Sequence, residues 1–339
     1  MPARQRDCGF LGWLGTTAGG WVAAAVVSLP APAAGTEALR AAPADSVVGS
    51  VELYEARYED SLLDVARRFG LGIDELRLAN PDVSLWLPGE GTPIRLPSRF
   101  VLPSSVRRGV VINVPEMRLY YYSNDGNAVH TWPISIGRVG YETPLGKTRV
   151  ARKKVAPTWY PTESIREEHA ARGEPLPRVV HPGPDNPLGS HAIYLGFPTY
   201  LIHGTNRPFS IGMRVSHGCV RLYPEHIEEL YNLVVPGTPV AIVHQRVKTG
   251  WFGNELFLEV HPNRDVPELD ALPSMTDAVR SIIRATPEEG ERPSIDWRLV
   301  EQALATSDGI PVAVGRRAGG SNLADERPPV PAGASPTSS

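Results

Sequence analysis

Proline and glycine recur along the whole chain and constrain its folding more than any other feature. There are 34 Pro and 32 Gly among 339 residues, which approaches a fifth of the sequence. Proline fixes φ and lacks a backbone N–H, whereas glycine tolerates positive φ, so both residues favour turns and interrupt long regular elements. The sequence therefore favours many short strands and turns over a helical bundle.

The N-terminal segment has the composition of an export signal. Two arginines precede a mostly apolar stretch over residues 10–29, and small residues follow at 30–34. This pattern predicts a signal peptide over residues 1–34 that is cleaved after Ala33 or Ala34. An uncleaved membrane anchor is the alternative, because about 20 apolar residues can span a bilayer. The glycine content and the Ala-x-Ala ending favour cleavage.

Removal of the signal peptide would leave a single thiol in the mature protein. The chain has 2 cysteines. Cys8 lies within the predicted signal, so only Cys219 remains. Structural cysteines of exported proteins normally occur in pairs, because they form disulfides in an oxidising compartment. An unpaired thiol kept after export therefore points to a chemical use, and a buried, unreactive Cys219 is the alternative.

A short linker and a compact unit follow the signal. Residues 35–50 are rich in Ala, Pro, Gly and Ser, a composition that predicts a linker. The pattern of residues 51–98 predicts two strands that flank two helices. The first helix combines capping residues with an apolar face at helical spacing. Its capping candidates are Asp60 and Ser61, and its face is Leu62, Val65, Ala66 and Phe69. The second helix spans residues 74–79 and ends at Asn80-Pro81, because the residue before proline disfavours the helical region.

This βααβ unit resembles a LysM module, a family that binds glycans containing N-acetylglucosamine. The matching segments are Asp60-Ser61-Leu62, Asn80-Pro81, Leu87-Pro88-Gly89 and Ile94-Arg95-Leu96-Pro97. The resemblance implies that residues 51–98 bind the glycan of peptidoglycan. A small packing domain that binds nothing is the alternative.

Residues 107–244 have the pattern of a mostly β domain. Apolar runs such as those at 110–114 and 117–122 alternate with Gly/Pro turns, which favours a sandwich or barrel-like fold. A helix is predicted to begin at Pro224, because proline suits the first helical turn. Its apolar face comprises Ile227, Leu230, Tyr231 and Val234.

The C-terminal part of the chain divides into two regions. Residues 245–306 contain further apolar runs and predict a C-terminal extension of the β domain. Residues 307–339 are rich in Gly, Pro, Ser and Ala and lack a sustained apolar period, so they are expected to be disordered.

The segment 216–221, Ser-His-Gly-Cys-Val-Arg, brings together the residue types that acyl transfer needs. A cysteine attacks as the thiolate and therefore needs a nearby base or positive charge. His203 ends a predicted strand, and Cys219 lies in a loop before the helix, so a short return of the chain can bring imidazole and thiol together. Gly218 permits a tight turn whose N–H groups can bind an oxyanion. Arg221 can pair with a substrate carboxylate, because its planar guanidinium matches that group.

These residues resemble the signature of the L,D-transpeptidase catalytic family, also called YkuD. The matching segments are Tyr200-Leu201-Ile202-His203-Gly204-Thr205-Asn206, Arg214-Val215-Ser216-His217-Gly218-Cys219-Val220-Arg221, Gly137-Arg138 and Thr143-Pro144-Leu145-Gly146-Lys147. Residues 157–161 and 183–189 resemble the substrate-lining loops of the family. The resemblance covers residues 107–244, and the segment 251–262 resembles an extension of Gram-negative members. It therefore implies a periplasmic enzyme.

The resemblance also implies a role for each matching residue. Cys219 takes the position of the nucleophile, and His203 that of the general base. Residues that shape the nucleophile loop and the oxyanion site are Ser216, His217, Gly218 and Gly204. His217 can equally serve as a structural hydrogen-bonding residue. Residues expected to contact substrate are Arg221, Trp159 and Tyr160, although the two aromatic residues can equally belong to the core.

The implied reaction is transpeptidation of peptidoglycan stem peptides. Cys219 would attack the third residue of a tetrapeptide stem, release D-Ala and form a thioester. An amine would then resolve the thioester, either from a second diaminopimelate, giving a 3–3 crosslink, or from a lysine of an outer-membrane lipoprotein or barrel protein. An L,D-carboxypeptidase that uses water and a non-catalytic wall-binding protein are the alternatives.

Two other functional classes have weaker support. His203, His217 and Cys219 are zinc-ligand types, but no H-E-x-x-H or paired C-x-x-C motif accompanies them, so neither a metal nor another cofactor is expected. The formal net charge is −3 and no basic run is present, which argues against a nucleic-acid partner.

Overall fold

The first described region is the βααβ unit. A computed structural model describes residues 39–40, 45–105, 107–123, 128–262, 273–286 and 292–317, so the predicted signal peptide lies outside the described residues. The elements of the first region are β1 (Leu39–Arg40), β2 (Val47–Glu55), α1 (Leu62–Arg68), α2 (Ile73–Ala79) and β3 (Pro93–Val101). Strands β2 and β3 form an antiparallel pair over their whole length. The predicted βααβ order is therefore confirmed, whereas glycan binding by this unit stays a prediction.

The boundary between linker and unit differs from the prediction. Strand β2 begins at Val47, so the last four residues of the predicted linker, 47–50, belong to the unit. Val47 and Val48 are buried, and Val47 pairs with Val101 at the far end of β3. The small residues of this stretch suggested a linker, but the pairing with β3 is a long-range contact that local composition does not reveal.

A nine-stranded sheet forms the largest part of the structure and confirms the predicted mostly β fold. Its additional strands are β4 (Gly109–Asn113), β5 (Arg118–Tyr122), β6 (Ala128–Pro133), β8 (Gly146–Val155), β9 (His191–Leu195), β10 (Leu201–His203), β12 (Val220–Arg221) and β13 (Pro239–Val243). The order across the sheet is β1-β6-β5-β4-β13-β8-β9-β10-β12. Most neighbours are antiparallel, but β4 with β13 and β10 with β12 are parallel.

The remaining elements of this region lie outside the nine-stranded sheet. They are β7 (Ile136–Gly137), α3 (Glu163–Ala171), a 3₁₀ turn (Pro208–Ser210), β11 (Arg214–Ser216) and α4 (Pro224–Leu233). Strands β7 and β11 form a separate parallel pair. Helix α4 begins at Pro224, as predicted, and buries Ile227 and Leu230 of its predicted face.

The central strands are covered on both faces, which explains why β4 and β5 are buried at every position. Val110 and Leu119 face a core shared with α4, whereas Val111 and Tyr120 face a second core that includes α1 and α2. Alternate residues of a strand point to opposite faces, so both sets are apolar. The βααβ unit thus packs on one face of the sheet.

The C-terminal extension forms its own sheet with two helices. Its elements are β14 (Val247–Phe252), β15 (Glu255–Val260), α5 (Met275–Ala285), β16 (Ser294–Ile295), α6 (Trp297–Thr306) and β17 (Val312–Arg316), with the strand order β14-β15-β17-β16. Strand β17 corrects the prediction that residues 307–339 are disordered. It pairs with β15 and β16, and its Val314 is buried, so residues 307–317 belong to the extension. Residues 318–339 lie outside the described residues.

A buried charged cluster joins the extension to the rest of the molecule. The Lys248 amine lies 2.8 Å from Glu116, 2.7 Å from Glu259 and 2.7 Å from the Val101 carbonyl oxygen. Glu259 also accepts a 2.6 Å hydrogen bond from His261. Glu116, Glu259 and His261 could gather around a cation, but the Lys248 ammonium already supplies the positive charge between the two carboxylates.

In the described part of the chain, no helix has the length and apolar character needed to cross a bilayer.

Candidate active site

Cys219 and His203 lie on neighbouring parallel strands. Cys219 immediately precedes β12, and His203 is the last residue of β10. The register pairs Ile202 with Val220 and His203 with Arg221, so Cys219 stands level with Leu201. Because alternate residues of paired strands point to the same side, Cys219, Arg221 and His203 share one face. The register therefore puts the predicted nucleophile and base on one face of neighbouring strands.

The His203 ring is held as a neutral imidazole with a defined tautomer. Its Nδ1 lies 2.7 Å from the Gly204 carbonyl oxygen. A carbonyl only accepts hydrogen bonds, so Nδ1 carries the proton and Nε2 keeps its lone pair. The side chain is 3% exposed. Burial, together with the nearby Arg221 charge, lowers the pKa of His203 to about 3. At neutral pH the ring is therefore uncharged, with its proton on Nδ1, and Nε2 can accept a second proton.

The Cys219 thiol is partly accessible and protonated at rest. Burial raises the pKa of the Cys219 thiol, and the Leu201 backbone and the Arg221 charge offset only part of this rise. Its Sγ lies 3.7 Å from the carbonyl oxygen of Thr199, which accepts the thiol proton. Thr199 has a φ of 69°, which is rare for a β-branched residue. Local strain of this kind often accompanies functional sites.

The nucleophile loop is fixed by hydrogen bonds to its own backbone. Ser216 is buried, and its hydroxyl donates to the Cys219 carbonyl oxygen at 2.5 Å and accepts from the Gly218 N–H at 3.1 Å. Thr143 donates to the Gly218 carbonyl oxygen at 2.9 Å. Gly218 has a φ of 100°, and a Cβ there would lie 2.7 Å from the Tyr200 ring. The position therefore requires glycine both for its backbone conformation and for space.

Arg221 lies beside both reactive residues. Its backbone exchanges hydrogen bonds with Ser135, at 3.0 Å from the Arg221 N–H and 2.9 Å to its carbonyl oxygen. Burial lowers the pKa of the Arg221 guanidinium, and the neighbouring Cys219 raises it in part. An arginine remains charged despite such a shift, so Arg221 supplies a positive field next to the thiol.

The side chain of His217 contacts helix α3. Its Nε2 lies 3.0 Å from a carboxylate oxygen of Glu168, which also accepts a 2.5 Å hydrogen bond from Arg138. The Tyr141 ring packs edge-on against the imidazole, with centroids 4.8 Å apart. Burial lowers the pKa of His217, and Glu168 raises it in part. Arg138 and His217 hold the pKa of Glu168 at about 2.

The remaining predicted site residues differ in their surroundings. Gly204 is buried and follows His203 in close contact with Ile227, whose side chain would lie 3.1 Å from a Cβ at this position. Trp159 is half-buried and pairs with Val180 through two 2.9 Å backbone hydrogen bonds. Tyr160 is 68% exposed, so it does not belong to the core. A role of these aromatic residues in substrate binding stays a prediction.

Comparison with known proteins shows the family of this chain. The profile of the L,D-transpeptidase catalytic domain matches residues 107–242. The chain is 43% identical over 258 residues to the probable L,D-transpeptidase ErfK/SrfK of Escherichia coli, with 74% of this chain and 80% of that protein covered. It is 40% identical over 255 residues to the probable L,D-transpeptidase YbiS of the same organism, with 73% and 81% covered. The chain belongs to the L,D-transpeptidase family.

Within this L,D-transpeptidase family member, two residues near the site have no sequence signal of their own. Glu168 belongs to a helix without buried residues, and its sequence resembles any solvent-exposed charged helix. Thr199 follows a proline in a turn between β9 and β10. Only the fold shows that Glu168 reaches His217 and that the Thr199 carbonyl reaches the thiol.

Proposed function

We propose that this L,D-transpeptidase family member forms a thioester between Cys219 and a peptidoglycan stem peptide. The observation that carries the proposal is the pairing of β10 with β12, which aligns a partly accessible thiol with a neutral imidazole. Family membership and the names of the E. coli relatives support the choice of substrate class.

The first half of the reaction transfers an acyl group to the thiol. As Sγ of Cys219 attacks the carbonyl carbon of the third stem residue, its proton moves to Nε2 of His203. The tetrahedral intermediate then collapses, the C–N bond breaks, and the departing D-Ala amine takes the proton from His203. Each proton transfer is general acid–base catalysis by one imidazole.

The oxyanion of this intermediate needs backbone donors. The Gly218 N–H is already bonded to Ser216, so we assign the oxyanion to the N–H of Cys219 itself. Arg221 contributes positive charge on the same face. One well-placed donor contributes about 3–4 kcal/mol to transition-state stabilisation in other enzymes.

The second half of the reaction returns the thiol. An amine attacks the thioester carbon, its proton passes to Nε2 of His203, and Sγ leaves and regains that proton. We propose an amine acceptor, either diaminopimelate of a second stem or a lysine of an outer-membrane protein, and we propose that the reaction takes place in the periplasm after export. Water in the same position would make the enzyme an L,D-carboxypeptidase.

Mass spectrometry of muropeptides separates these outcomes. Purified protein is incubated with disaccharide tetrapeptide, with and without a lysine-terminated acceptor peptide. Dimers linked 3–3, a lysine adduct or tripeptide alone would identify diaminopimelate, protein lysine or water as the acceptor. The Cys219→Ala variant is the control, and products that persist in it would contradict the proposal.

A further inference from the structure

A second concave site lies away from Cys219, between the β domain and the C-terminal extension. It has a volume of about 750 Å³ and is bordered by α5, by β14, by the segment after β3 and by the junction of β13 with β14. This volume falls within the usual range of ligand-binding pockets. None of the predicted catalytic or substrate-binding residues lines it.

The walls of this pocket are rich in arginine, although the whole chain has a formal net charge of −3. The lining arginines are Arg107, Arg246, Arg280, Arg284 and Arg317. In the described part of the lining, Asp277 is the single carboxylate. One of its oxygens accepts hydrogen bonds of 3.1 Å and 2.7 Å from the backbone and hydroxyl of Ser274 at the start of α5, and its charge offsets part of the charge of Arg246 and Arg280. The remaining arginines still leave the lining positively charged.

Two of these guanidinium groups are positioned by neutral partners. Arg107 donates to the Asp45 carbonyl oxygen at 3.1 Å and to the Ser46 hydroxyl at 2.7 Å. Arg317 lies over the Trp251 ring, 4.5 Å from its centroid. Such contacts orient a guanidinium without neutralising its charge.

Helix α5 contributes two arginines at helical spacing to the lining. Arg280 and Arg284 are four residues apart on α5, so they lie on the same side of the helix. Like charges at this spacing destabilise a helix. A bound anion would offset the repulsion between Arg280 and Arg284, so anion binding would explain why the two arginines occur at this spacing.

Strand β14 forms one side of the pocket. It is the outermost strand of its sheet, and its residues 247 and 249–251 line the pocket. Part of its outer edge is already occupied, because the Trp251 carbonyl oxygen accepts a 2.7 Å hydrogen bond from the Ser46 N–H and the Val247 carbonyl oxygen accepts one of 3.5 Å from the Ser281 hydroxyl. The strand therefore supplies a wall of the pocket, and the arginines supply its charge.

We propose that this pocket binds a peptide carrying several carboxylates. The planar guanidinium groups match carboxylates, and several arginines around one pocket match a ligand that carries several carboxylates, such as an acidic peptide. A lipid surface fits less well, because the large apolar side chains exposed elsewhere in the described residues do not border the pocket. This site goes beyond the proposed thioester chemistry and does not depend on Cys219.

Fluorescence anisotropy of the full chain with labelled hexaglutamate tests the proposal. We expect saturable binding that weakens with added salt and that falls about tenfold or more in an Arg280→Gln/Arg284→Gln variant. Arg107→Gln, in the segment after β3, should weaken binding as well. The matched control is Arg298→Gln, on the exposed surface of α6, which should bind as the parent does.

Several outcomes would overturn the proposal. They are the absence of hexaglutamate binding, equal binding of hexaglutamine, and undiminished binding in the pocket variants. Binding of vesicles containing phosphatidylglycerol in place of hexaglutamate would assign the pocket to lipid and contradict it. Cys219→Ala should bind hexaglutamate normally, so failure of the enzymatic proposal and failure of this one are distinguishable.

Discussion

Replacement of Lys248 by methionine should destabilise the protein strongly. Lys248 is 2% exposed and lies within 2.8 Å of both Glu116 and Glu259, which are themselves buried. Methionine keeps the apolar stem but removes the ammonium, so two buried carboxylates lose their counter-charge. Loss of one partner from a buried ion pair typically costs about 3–5 kcal/mol. For a protein of this size that corresponds to a fall in Tm of about 10 °C.

The dependence of this effect on pH has a definite sign. Burial raises the pKa of Glu259, but Lys248 and His261 outweigh burial, so its pKa lies below the ordinary value. The parent therefore gains stability from this carboxylate above the unfolded pKa and loses it as the pH falls. Without Lys248 the pKa of Glu259 should rise, and protonation should relieve the variant at low pH. The difference in Tm between parent and variant should thus shrink as the pH falls from 7 to 4.

Calorimetry of three proteins tests this reasoning. The parent, Lys248→Met and the triple variant Lys248→Met/Glu116→Gln/Glu259→Gln are melted at the same pH and salt concentration. The triple variant removes both charges that the single variant leaves unpaired, so it should recover a large part of the lost Tm. A fall of less than about 2 °C in the single variant, or a triple variant less stable than the single one, would show that Lys248 does not stabilise the protein by neutralising these carboxylates.

Three further changes test the nucleophile's surroundings. His203→Gln should slow thioester formation by about 10²–10⁴-fold. The parent should also lose about 2 kcal/mol of unfolding free energy between pH 7 and pH 5, because the unfolded His203 ring takes up a proton in this range and the buried ring does not. His203→Gln should lack this loss, which urea titrations of both proteins at the two pH values measure. Gly218→Ala should lower stability by about 1–3 kcal/mol and slow alkylation of the thiol, whereas Gly237→Ala, also at positive φ but with free space around it, should melt at a higher temperature than Gly218→Ala. Glu168→Gln should lower the pKa of its histidine partner, seen by NMR titration, while Glu167→Gln on the same helix should leave it unchanged.

Local sequence patterns predict much of this fold. The capping residue Ser61 and the apolar spacing that follows it identify α1, and Pro224 identifies the start of α4. Strands β4 and β5 do not show the alternation of apolar and polar residues that marks a half-exposed strand, because both of their faces are covered. Strand β17 was missed for a different reason: its partner β15 lies more than 50 residues away, and the surrounding Gly, Pro and Ser composition resembles a disordered tail.

The candidate site likewise has features that the sequence predicts and features that only the fold shows. His203 and Cys219 are found from the sequence, because a base near a lone thiol and a glycine beside it have a direct chemical meaning. The tautomer of His203, fixed by the Gly204 carbonyl, and the contact of Glu168 with His217 depend on backbone path and on side chains 49 residues apart. Neither follows from a local pattern.

In the proposed reaction, Cys219 carries the acyl group of a stem peptide. Intact-mass spectrometry of the protein after incubation with tetrapeptide, without an amine acceptor, measures this directly, and peptide mapping locates the adduct. We predict an added tripeptide acyl group on Cys219, released D-Ala in equal amount, and no adduct in Cys219→Ala. Release of D-Ala from the parent without any adduct at Cys219, or an unchanged adduct in the alanine variant, would contradict it.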